Sequence, residues 1–226
     1  MTTTARLISV NAGRTKAVPW GNLKRSAIDK QPHAGPIQVT TLGLVSDEQA
    51  DHADHGGTEQ ALYAYAREDL DRWGAMLGRE LRNGQFGENL TVEGIELTHA
   101  TIGERWRIGS VLIELNAPRI PCSVFQGFMD EPQWVKRFTV EGRPGGYFRV
   151  LAEGELHAGD DVTVEHRPDH GVTLQQVFRA LTGHRELVPL LLVAPELQED
   201  ARAYARKILG AASQAVTALP RSATAP

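Results

Sequence analysis

The single cysteine of this chain, Cys122, is the residue whose type and setting most clearly suggest chemistry. It follows the predicted strand 111–115, and Pro118 and Pro121 restrict the backbone on its approach. A cysteine thiolate is both a nucleophile and a ligand for soft metals, and the neighbouring Arg119 favours the charged form. A lone cysteine is just as compatible with a small buried apolar residue. The sequence therefore nominates Cys122 as a catalytic or metal-binding residue and leaves a structural role open.

A histidine-rich turn lies earlier in the chain, where the sequence Asp-His-Ala-Asp-His-Gly-Gly-Thr spans residues 51–58. We expect Gly56 and Gly57 to lead into a helix, whose N-terminal N–H groups and dipole favour phosphate or another anion. His52 and His55 have a His-x-x-His spacing that zinc sites use, but the chain offers no convincing set of companion ligands. A capped surface turn with solvated histidines is the third interpretation.

A basic loop provides a second candidate site for an anion. Residues 20–32 contain Lys24, Arg25, Ser26 and Lys30, which can hold a phosphate through charge-assisted hydrogen bonds. Solvated loops often have the same composition, so this segment is not specific by itself.

A glycine-rich segment, 84–92, places Glu88 and Asn89 at a turn before a predicted strand. These side chains can bind the edge of a heterocycle or cap backbone groups of the turn, and both roles are open. Taken with the thiol, the histidine-rich turn and the basic loop, this segment suggests a polar, anionic cofactor whose reactive end lies near Cys122.

The overall composition limits the classes of protein to consider. The 226 residues (24.7 kDa) are 41% hydrophobic and 23% charged, as in a typical globular protein. The net charge is −4 and the pI about 6.1, so there is no overall basic field for nucleic acid or an anionic membrane. One cysteine excludes intramolecular disulfides and cysteine-rich zinc folds. The N-terminus has no signal-peptide pattern and the longest apolar run, 187–194, is too short to span a membrane, so we expect a cytoplasmic protein.

The predicted elements divide the chain into a β-rich part and a helical part. Short β-type runs between Gly, Pro, Asn and Asp turns predict a compact β-barrel. These runs lie at residues 5–10, 37–42, 89–92, 106–108, 110–115, 147–151 and 161–165. Helical spacing predicts helices over 61–73 (with Thr58 as N-cap), 133–140, 174–181 and 197–208, with a short helical turn at 187–193.

The predicted fold class is mainly β (α+β), with a β-barrel domain and a few helices over residues 1–166. A small three-helix domain is expected to follow over 167–210, with Gly183 and Gly210 ending its two longer helices. Residues 211–226 are rich in Ala, Ser, Thr and Pro and are predicted to form a disordered tail.

Short motifs follow one another in a recognisable order. They are His-Gly-Gly at 55–57, Gln-Ala-Leu at 60–62, Gly-Glu-Asn-Leu at 87–90, the segment 108–122 ending in Cys122, and the segment 145–154 beginning Gly-Gly-Tyr-Phe. Together they resemble the MOSC domain family, named for the C-terminal domain of molybdenum cofactor sulfurases, and in particular its stand-alone YiiM-type members. The similarity covers about residues 5–165, and the terminal helices look like the three-helix domain of that subgroup.

This resemblance implies a MOSC-type β-barrel that binds molybdenum cofactor in a basic cleft. The thiolate of Cys122 would bind the metal, Arg119 would neutralise charge beside it, and His55 would donate a proton. The catalytic set is then Cys122, His55 and Arg119. The positions implied to bind the cofactor are Arg25, Ser26, Lys30, His55, Gly56, Glu88, Asn89 and Arg119, with the first three in the segment that holds the pterin phosphate.

The resemblance also implies a reaction, the reduction of N-hydroxylated compounds such as hydroxylaminopurine base analogues to the parent amines or amidines. Molybdenum changes oxidation state by two electrons, so the cofactor carries the difficult step and the protein positions it. The electrons are expected from a separate flavin or iron–sulfur reductase, because this chain has neither a cysteine framework for a cluster nor a Gly-x-Gly-x-x-Gly fingerprint.

Two other functions remain open. Cys122 could carry a persulfide and deliver sulfur to a metal site. The C-terminal helices could imitate a helix-turn-helix around Gly183, but their basic and acidic residues are interleaved and the segment is nearly neutral. We therefore expect no nucleic-acid partner and assign those helices to packing, reductase docking or dimerisation, a homodimer being compatible with the sequence.

Overall fold

The computed structural model describes residues 5–22, 24–49 and 56–217, and for 212–217 it describes the backbone alone. The fold is α+β with sheet predominating. The strands are β1 (Arg6–Ala12), β2 (Lys16–Ala17), β3 (Arg25–Ser26), β4 (Gln31–Pro32), β5 (Ile37–Thr40), β6 (Gly43–Leu44), β7 (Leu62–Ala66), β8 (Leu90–Glu93), β9 (Arg105–Ile108), β10 (Val111–Pro118), β11 (Gly146–Ala152), β12 (Gly154–Leu156) and β13 (Val162–His166). The α-helices are α1 (Arg67–Leu77), α2 (Ser123–Met129), α3 (Trp134–Glu141), α4 (Leu174–Leu181) and α5 (Glu199–Thr217), and 3-10 helices lie at Thr58–Gln60 and Arg185–Leu192.

The main sheet has eight strands in the order β13-β9-β10-β11-β7-β8-β1-β4. All neighbours are antiparallel except β7 and β8, which run parallel. Strands β12, β5 and β6 form a second sheet, and β2 and β3 form a two-stranded ribbon.

The predicted barrel is not closed within the described residues. An isolated bridge between Arg6 and Asp161, with backbone hydrogen bonds of Leu7 to Asp160 and Gly159, connects β1 to the loop before β13. A loop therefore occupies the position where a continuous ladder would close the sheet, and the sheet stays open.

The helix predicted over 61–73 is wrong in its first half. Residues 62–66 form β7, and helix α1 begins only at Arg67. All five residues of β7 are buried, with β8 on one side and β11 on the other. A fully buried strand has apolar residues on both faces, and its sequence can satisfy helical spacing by coincidence. Thr58 is not an N-cap either, because Gly57 precedes a 3-10 helix of three residues that leads into this strand.

Alternate residues of β7 pack into two different hydrophobic clusters. Leu62 and Ala64 belong to one, and Tyr63 and Tyr65 belong to the other, as the alternation of side chains along a strand requires. The second cluster is largely aromatic and includes side chains from α1, α2, α3 and the loop before β8: Trp73, Phe86, Phe125, Trp134 and Phe138. Cys122 and Tyr147 pack partly against this second cluster.

The C-terminal helical segments are present, but a separate three-helix domain is not confirmed. Val177, Leu191 and Ala205 pack in the same hydrophobic cluster as Trp106 of the main sheet. The division of the chain at residue 166 stays a prediction. None of the described helices is long and apolar enough to cross a membrane.

Helix α4 coincides with its predicted bounds, but Gly210 does not end α5. Gly183, just beyond α4, has a positive φ of 132°, whereas Gly210 is not among the glycines with positive φ and a side chain added there would meet open space. Nothing at Gly210 therefore forces the chain out of the helix, and α5 continues to Thr217. Residues 211–217 continue α5 and 218–226 lie outside the described residues, so the disordered tail stays a prediction.

Candidate functional site

A cleft of about 380 Å³ lies between the β2–β3 ribbon, the loop after β6, the loop before β8 and the segment that follows β10. Most of the predicted site residues line it: Arg25, Ser26, Lys30, Gly56, Asn89, Arg119 and Cys122. Glu88 is not part of the lining, since its side chain is fully buried. His55 and His52 lie outside the described residues.

Cys122 is the N-cap residue of α2 and has an extended backbone, with φ −130° and ψ 175°. Its carbonyl oxygen accepts the N–H of Gln126 at 2.9 Å. The residue is half-buried on the wall of the cleft. Helix α2 was not predicted, because cysteine is not one of the side chains that mark an N-cap.

Arg119 lies on the same wall and is 7% exposed. Its Nη1 donates to the carbonyl oxygen of Phe86 at 2.8 Å, and the guanidinium carbon is 4.2 Å from the ring centre of Phe125 and 5.1 Å from that of Tyr63. Its Nε is buried without a hydrogen-bond partner among the described residues. Burial by itself lowers the pKa of Arg119, but the surrounding Tyr147, Tyr63, Cys122 and Glu88 raise it, and the net direction is upward. The guanidinium therefore stays charged beside the thiol.

Two tyrosines that were not predicted as site residues complete this wall. The rings of Tyr63 and Tyr147 are 5.1 Å apart and tilted by 38°. The Tyr63 hydroxyl donates to the carbonyl oxygen of Pro144 at 2.8 Å, which fixes its ring. Burial raises the pKa of Tyr147, which Arg119 opposes and Cys122 reinforces. Burial likewise raises the pKa of Tyr63. Both hydroxyls stay protonated at neutral pH.

The glycine motif before Tyr147 has a steric cause. Gly145 has φ +66°, and a Cβ there would lie 2.5 Å from the Tyr65 ring and 2.8 Å from the Tyr63 ring. Only glycine lets the 143–146 loop approach these rings so closely.

Lys30 is not an isolated cation in the cleft. Its ammonium contacts both carboxylate oxygens of Asp47, at 2.6 and 2.5 Å, and both side chains are buried. Asp47 also accepts the backbone N–H of Gly13 at 2.7 Å and the Nδ2 of Asn89 at 2.8 Å. The pair is neutral overall, so it offers an anion less attraction than the predicted phosphate-binding role requires. Asp47 was not predicted, because it is 17 residues from Lys30 in a segment without a motif.

Asn89 and Glu88 hold backbone in place. Asn89 accepts the N–H of Tyr63 through Oδ1 at 3.1 Å, so its amide is engaged on both sides. Glu88 accepts the N–H of Gly84 at 2.5 Å, the N–H of Phe86 at 2.9 Å and the Thr91 hydroxyl at 3.0 Å. Burial raises the pKa of Glu88, against the effect of these hydrogen bonds. Of the two roles left open for Glu88, the structure supports capping of the turn.

The ribbon carries the other predicted phosphate-binding residues. Ser26 accepts the N–H of Ile28 at 3.1 Å, and exposed Arg25 makes no ion pair with any described residue. The turn of the ribbon is held by Trp20, whose ring packs against Gly127 of α2 and edge-on to Phe128 at 6.3 Å. Arg25 is therefore available at the cleft, on a ribbon anchored to the helix that Cys122 begins.

The described residues do not support a metal site built from several protein ligands. Across residues 5–22, 24–49 and 56–217, no three His, Cys, Asp or Glu side chains are grouped so that they could hold a metal ion. The donor that the cleft offers to a soft metal is the thiol of Cys122.

Comparison with known proteins gives the chain relatives across most of its length. It is 31% identical to the protein YiiM of Escherichia coli (strain K12) over 172 residues, which cover 75% of each chain. The crystal structure of YiiM from Geobacillus stearothermophilus matches with a TM-score of 0.76 and 26% identity, covering 90% of this chain and 98% of that one. A protein named "Reductase" from Gibberella moniliformis (strain M3125 / FGSC 7600) is 32% identical over 195 residues; the match spans 84% of this chain but only 35% of that protein.

A model of the MOSC domain matches residues 51–163, the part of the chain that includes β7 to β12 and Cys122. This match confirms the family resemblance carried by the motifs, and the YiiM relatives confirm the subgroup. The chain belongs to the MOSC domain family and is similar to its YiiM members.

Proposed function

We propose that this protein is a molybdenum-cofactor-dependent oxidoreductase that reduces N-hydroxylated compounds, such as hydroxylaminopurine base analogues. The observation that carries the proposal is the pairing of the Cys122 thiol with the buried, charged Arg119 on the wall of one cleft. A soft donor beside a fixed cation suits a soft metal in an anionic cofactor. MOSC domains are associated in general with molybdenum cofactor binding.

Two buried polar atoms of cleft residues support this fit. Arg119 Nε and Gln60 Oε1 have no hydrogen-bond partner among the described residues, although buried polar groups are nearly always paired. One is a donor and the other an acceptor, so a polar ligand would complete both. Cys122 would bind the metal, Arg119 would neutralise charge next to it, and Arg25 with Ser26 would bind the terminal phosphate. The bound cofactor would supply a metal that exchanges two electrons, as reduction of an N–OH group requires.

The remaining residues of the cleft bind and orient the substrate in this proposal. Tyr147 is half-buried and presents its ring to the cleft, backed by Tyr63. An aromatic ring held in this way favours planar substrates, which stack on it. This preference agrees with base analogues as substrates.

The electrons would come from a separate flavin or iron–sulfur reductase. The similarity to about a third of a longer protein named "Reductase" supports reductive chemistry for this domain. Small-molecule substrates, a cytoplasmic location, the absence of a nucleic-acid partner and a homodimer remain proposals from the sequence.

The test is to produce the protein in a host that makes molybdenum cofactor and to measure molybdenum, pterin fluorescence and labile sulfur on the same sample. Reduction of 6-hydroxylaminopurine is then followed with dithionite-reduced methyl viologen as electron donor, beside the Cys122→Ala variant. We expect about one molybdenum per chain and reduction that depends on Cys122. Labile sulfur without stoichiometric metal would replace this proposal with the persulfide carrier.

A further inference from the structure

Lys30 is the buried titratable group of the cleft whose role the proposed function leaves unexplained. It is 7% exposed and lines the same cleft as Cys122. Its backbone is fixed from both sides, since its N–H donates to the carbonyl oxygen of Ile28 at 2.9 Å and its own carbonyl oxygen accepts from Arg82. The side chain therefore starts from a rigid position.

Asp47 fixes the other end of this side chain. The carboxylate accepts two hydrogen bonds from Lys30, one from the Gly13 N–H and one from Asn89. These four hydrogen bonds fix the position of the carboxylate. The Lys30 ammonium has three N–H groups, and its hydrogen bonds to described residues go to Asp47 alone. One N–H is thus left for a group that enters the cleft.

The proposed reaction needs a proton donor in the cleft. Reduction of an N-hydroxylated compound breaks the N–O bond and forms an N–H bond, so that the compound takes up two electrons and two protons and gives the parent amine and water. The two electrons come from the separate flavin or iron–sulfur reductase. Hydroxide is a poor leaving group, so a proton must reach the oxygen as the bond breaks.

We propose that Lys30 is the catalytic acid that protonates the leaving hydroxyl oxygen, so that it departs as water. This inference rests on the proposed function. The neutral lysine amine that results is protonated again from solvent, and the second proton, which goes to the substrate nitrogen, also comes from solvent. Asp47 acts as a positioning residue, because it orients the ammonium through two hydrogen bonds.

The charges around Lys30 suit this role. Burial lowers its pKa, Asp47 opposes this, Arg119 lowers it further and Glu88 raises it, with a net downward direction. A lysine with a lowered pKa gives up its proton more readily than an exposed one. The protonated form is the active one, so kcat falls as the pH rises through the pKa of Lys30.

The test uses the cofactor-loaded protein, 6-hydroxylaminopurine and reduced methyl viologen, with Lys30→Arg, Lys30→Met and Asp47→Asn. Lys30→Arg keeps the ion pair, but a guanidinium does not release a proton near neutral pH. We expect kcat to fall by about 100-fold or more in both Lys30 variants, with unchanged molybdenum and pterin content. The matched control is Lys207→Met, which removes an exposed lysine on α5 and should leave kcat unchanged.

Asp47→Asn tests the catalytic role of Lys30 through the pH dependence of kcat, which a purely structural role of Lys30 would not alter. Removing the carboxylate lowers the pKa of Lys30, so the alkaline limb of kcat should move to lower pH. In the cofactor-free protein, lysine side-chain nitrogen NMR should give Lys30 a pKa below the ordinary value of 10.5, and lower again in Asp47→Asn. Loss of metal or pterin in step with activity, an unshifted alkaline limb, or a Lys30→Arg variant with more than about a third of wild-type kcat would overturn the inference. A wild-type protein that carries cofactor but does not reduce the probe would refute the proposed function itself, and this inference with it.

Discussion

The guanidinium carbon of Arg119 lies 4.2 Å from the centre of the Phe125 ring, in the first turn of the helix that begins beside Cys122. The same guanidinium donates to the carbonyl oxygen of Phe86, in the loop before β8. One side chain thus joins the two segments that flank the thiol. A charged group buried at this junction supports both the local fold and the electrostatic field at Cys122.

Replacing Arg119 should separate these two contributions. Arg119→Met leaves the Phe86 carbonyl oxygen without its donor and removes the cation, so the cofactor-free protein should lose about 1–3 kcal/mol of unfolding free energy. Cofactor content should fall further than this loss explains, because the compensating charge is gone. Arg119→Lys keeps the charge but not the planar donor and should be intermediate. Urea unfolding and metal analysis measure the two effects.

The control for this experiment is Arg206→Met, since Arg206 is half-exposed on α5 and pairs with Glu199. It should change neither quantity by much. Normal cofactor content in Arg119→Met would show that the positive charge beside Cys122 is not required.

Cys122→Ser should keep the fold and lose the metal. Cysteine makes no side-chain cap to α2, whereas serine at an N-cap accepts a helix N–H and adds about 0.5–1 kcal/mol. We therefore expect a free energy of unfolding equal to or slightly above that of the wild type, with molybdenum and N-hydroxy reduction both absent. Cys122→Ala controls for the capping gain. Stoichiometric molybdenum in either variant would rule out Cys122 as the ligand.

Local patterns predicted the elements that are amphipathic and bounded by glycine. The helix expected over 133–140 is present as α3, and 174–181 is α4, because an apolar stripe and a glycine beyond the end determine such helices locally. Strand β7 could not be recognised in this way. Its two faces are buried by the two hydrophobic clusters, whose other side chains come from elements far away in sequence, and the run alone does not indicate them.

The candidate site also combines residues that short segments indicate with contacts that depend on the fold. Arg25, Ser26, Arg119 and Cys122 were predicted from short segments with evident chemistry, and the structure brings them to one cleft. The partner of Lys30 was missed, because ion pairing between loops depends on topology rather than on spacing. The ion pair with Asp47 is the basis for proposing that Lys30 donates a proton rather than binds phosphate.

Protonation of Glu48, which lines the cleft next to Asp47, should contribute to the loss of folding stability at acid pH. The Thr15 N–H and Arg14 lower the pKa of Glu48 from 4.5 to about 2. A carboxyl whose pKa is lower in the folded state stabilises that state above its unfolded pKa, and the contribution is lost as the pH falls toward the folded pKa. Glu48→Gln should therefore be less stable than wild type at about pH 7, with the difference shrinking below about pH 4.5.

Urea unfolding of the cofactor-free protein between about pH 3 and 7 measures this difference. Glu80→Gln is the control, since exposed Glu80 makes no hydrogen bond or ion pair with the described residues. A Glu48→Gln difference that stays constant over the whole range would contradict the assignment.

Gly127 should be essential for anchoring the ribbon that carries Arg25 and Ser26. A Cβ at this position of α2 would overlap the Trp20 ring. Alanine within a helix normally adds up to about 1 kcal/mol over glycine, but displacing a packed indole costs about 1–3 kcal/mol. Gly127→Ala should therefore be destabilised and should lose bound cofactor faster than wild type, because the ribbon moves with Trp20.

Gly210→Ala is the matched control, since Gly210 lies in α5 with no atom within 4 Å of an added Cβ. There the helix-propensity gain acts alone, and the free energy of unfolding should rise by up to about 1 kcal/mol. If the free energy of unfolding falls in Gly127→Ala and rises in Gly210→Ala, the loss at Gly127 comes from the contact with Trp20. If Gly127→Ala were stabilised as Gly210→Ala is, Trp20 would not hold the ribbon against α2, and the position of Arg25 at the cleft would need another cause.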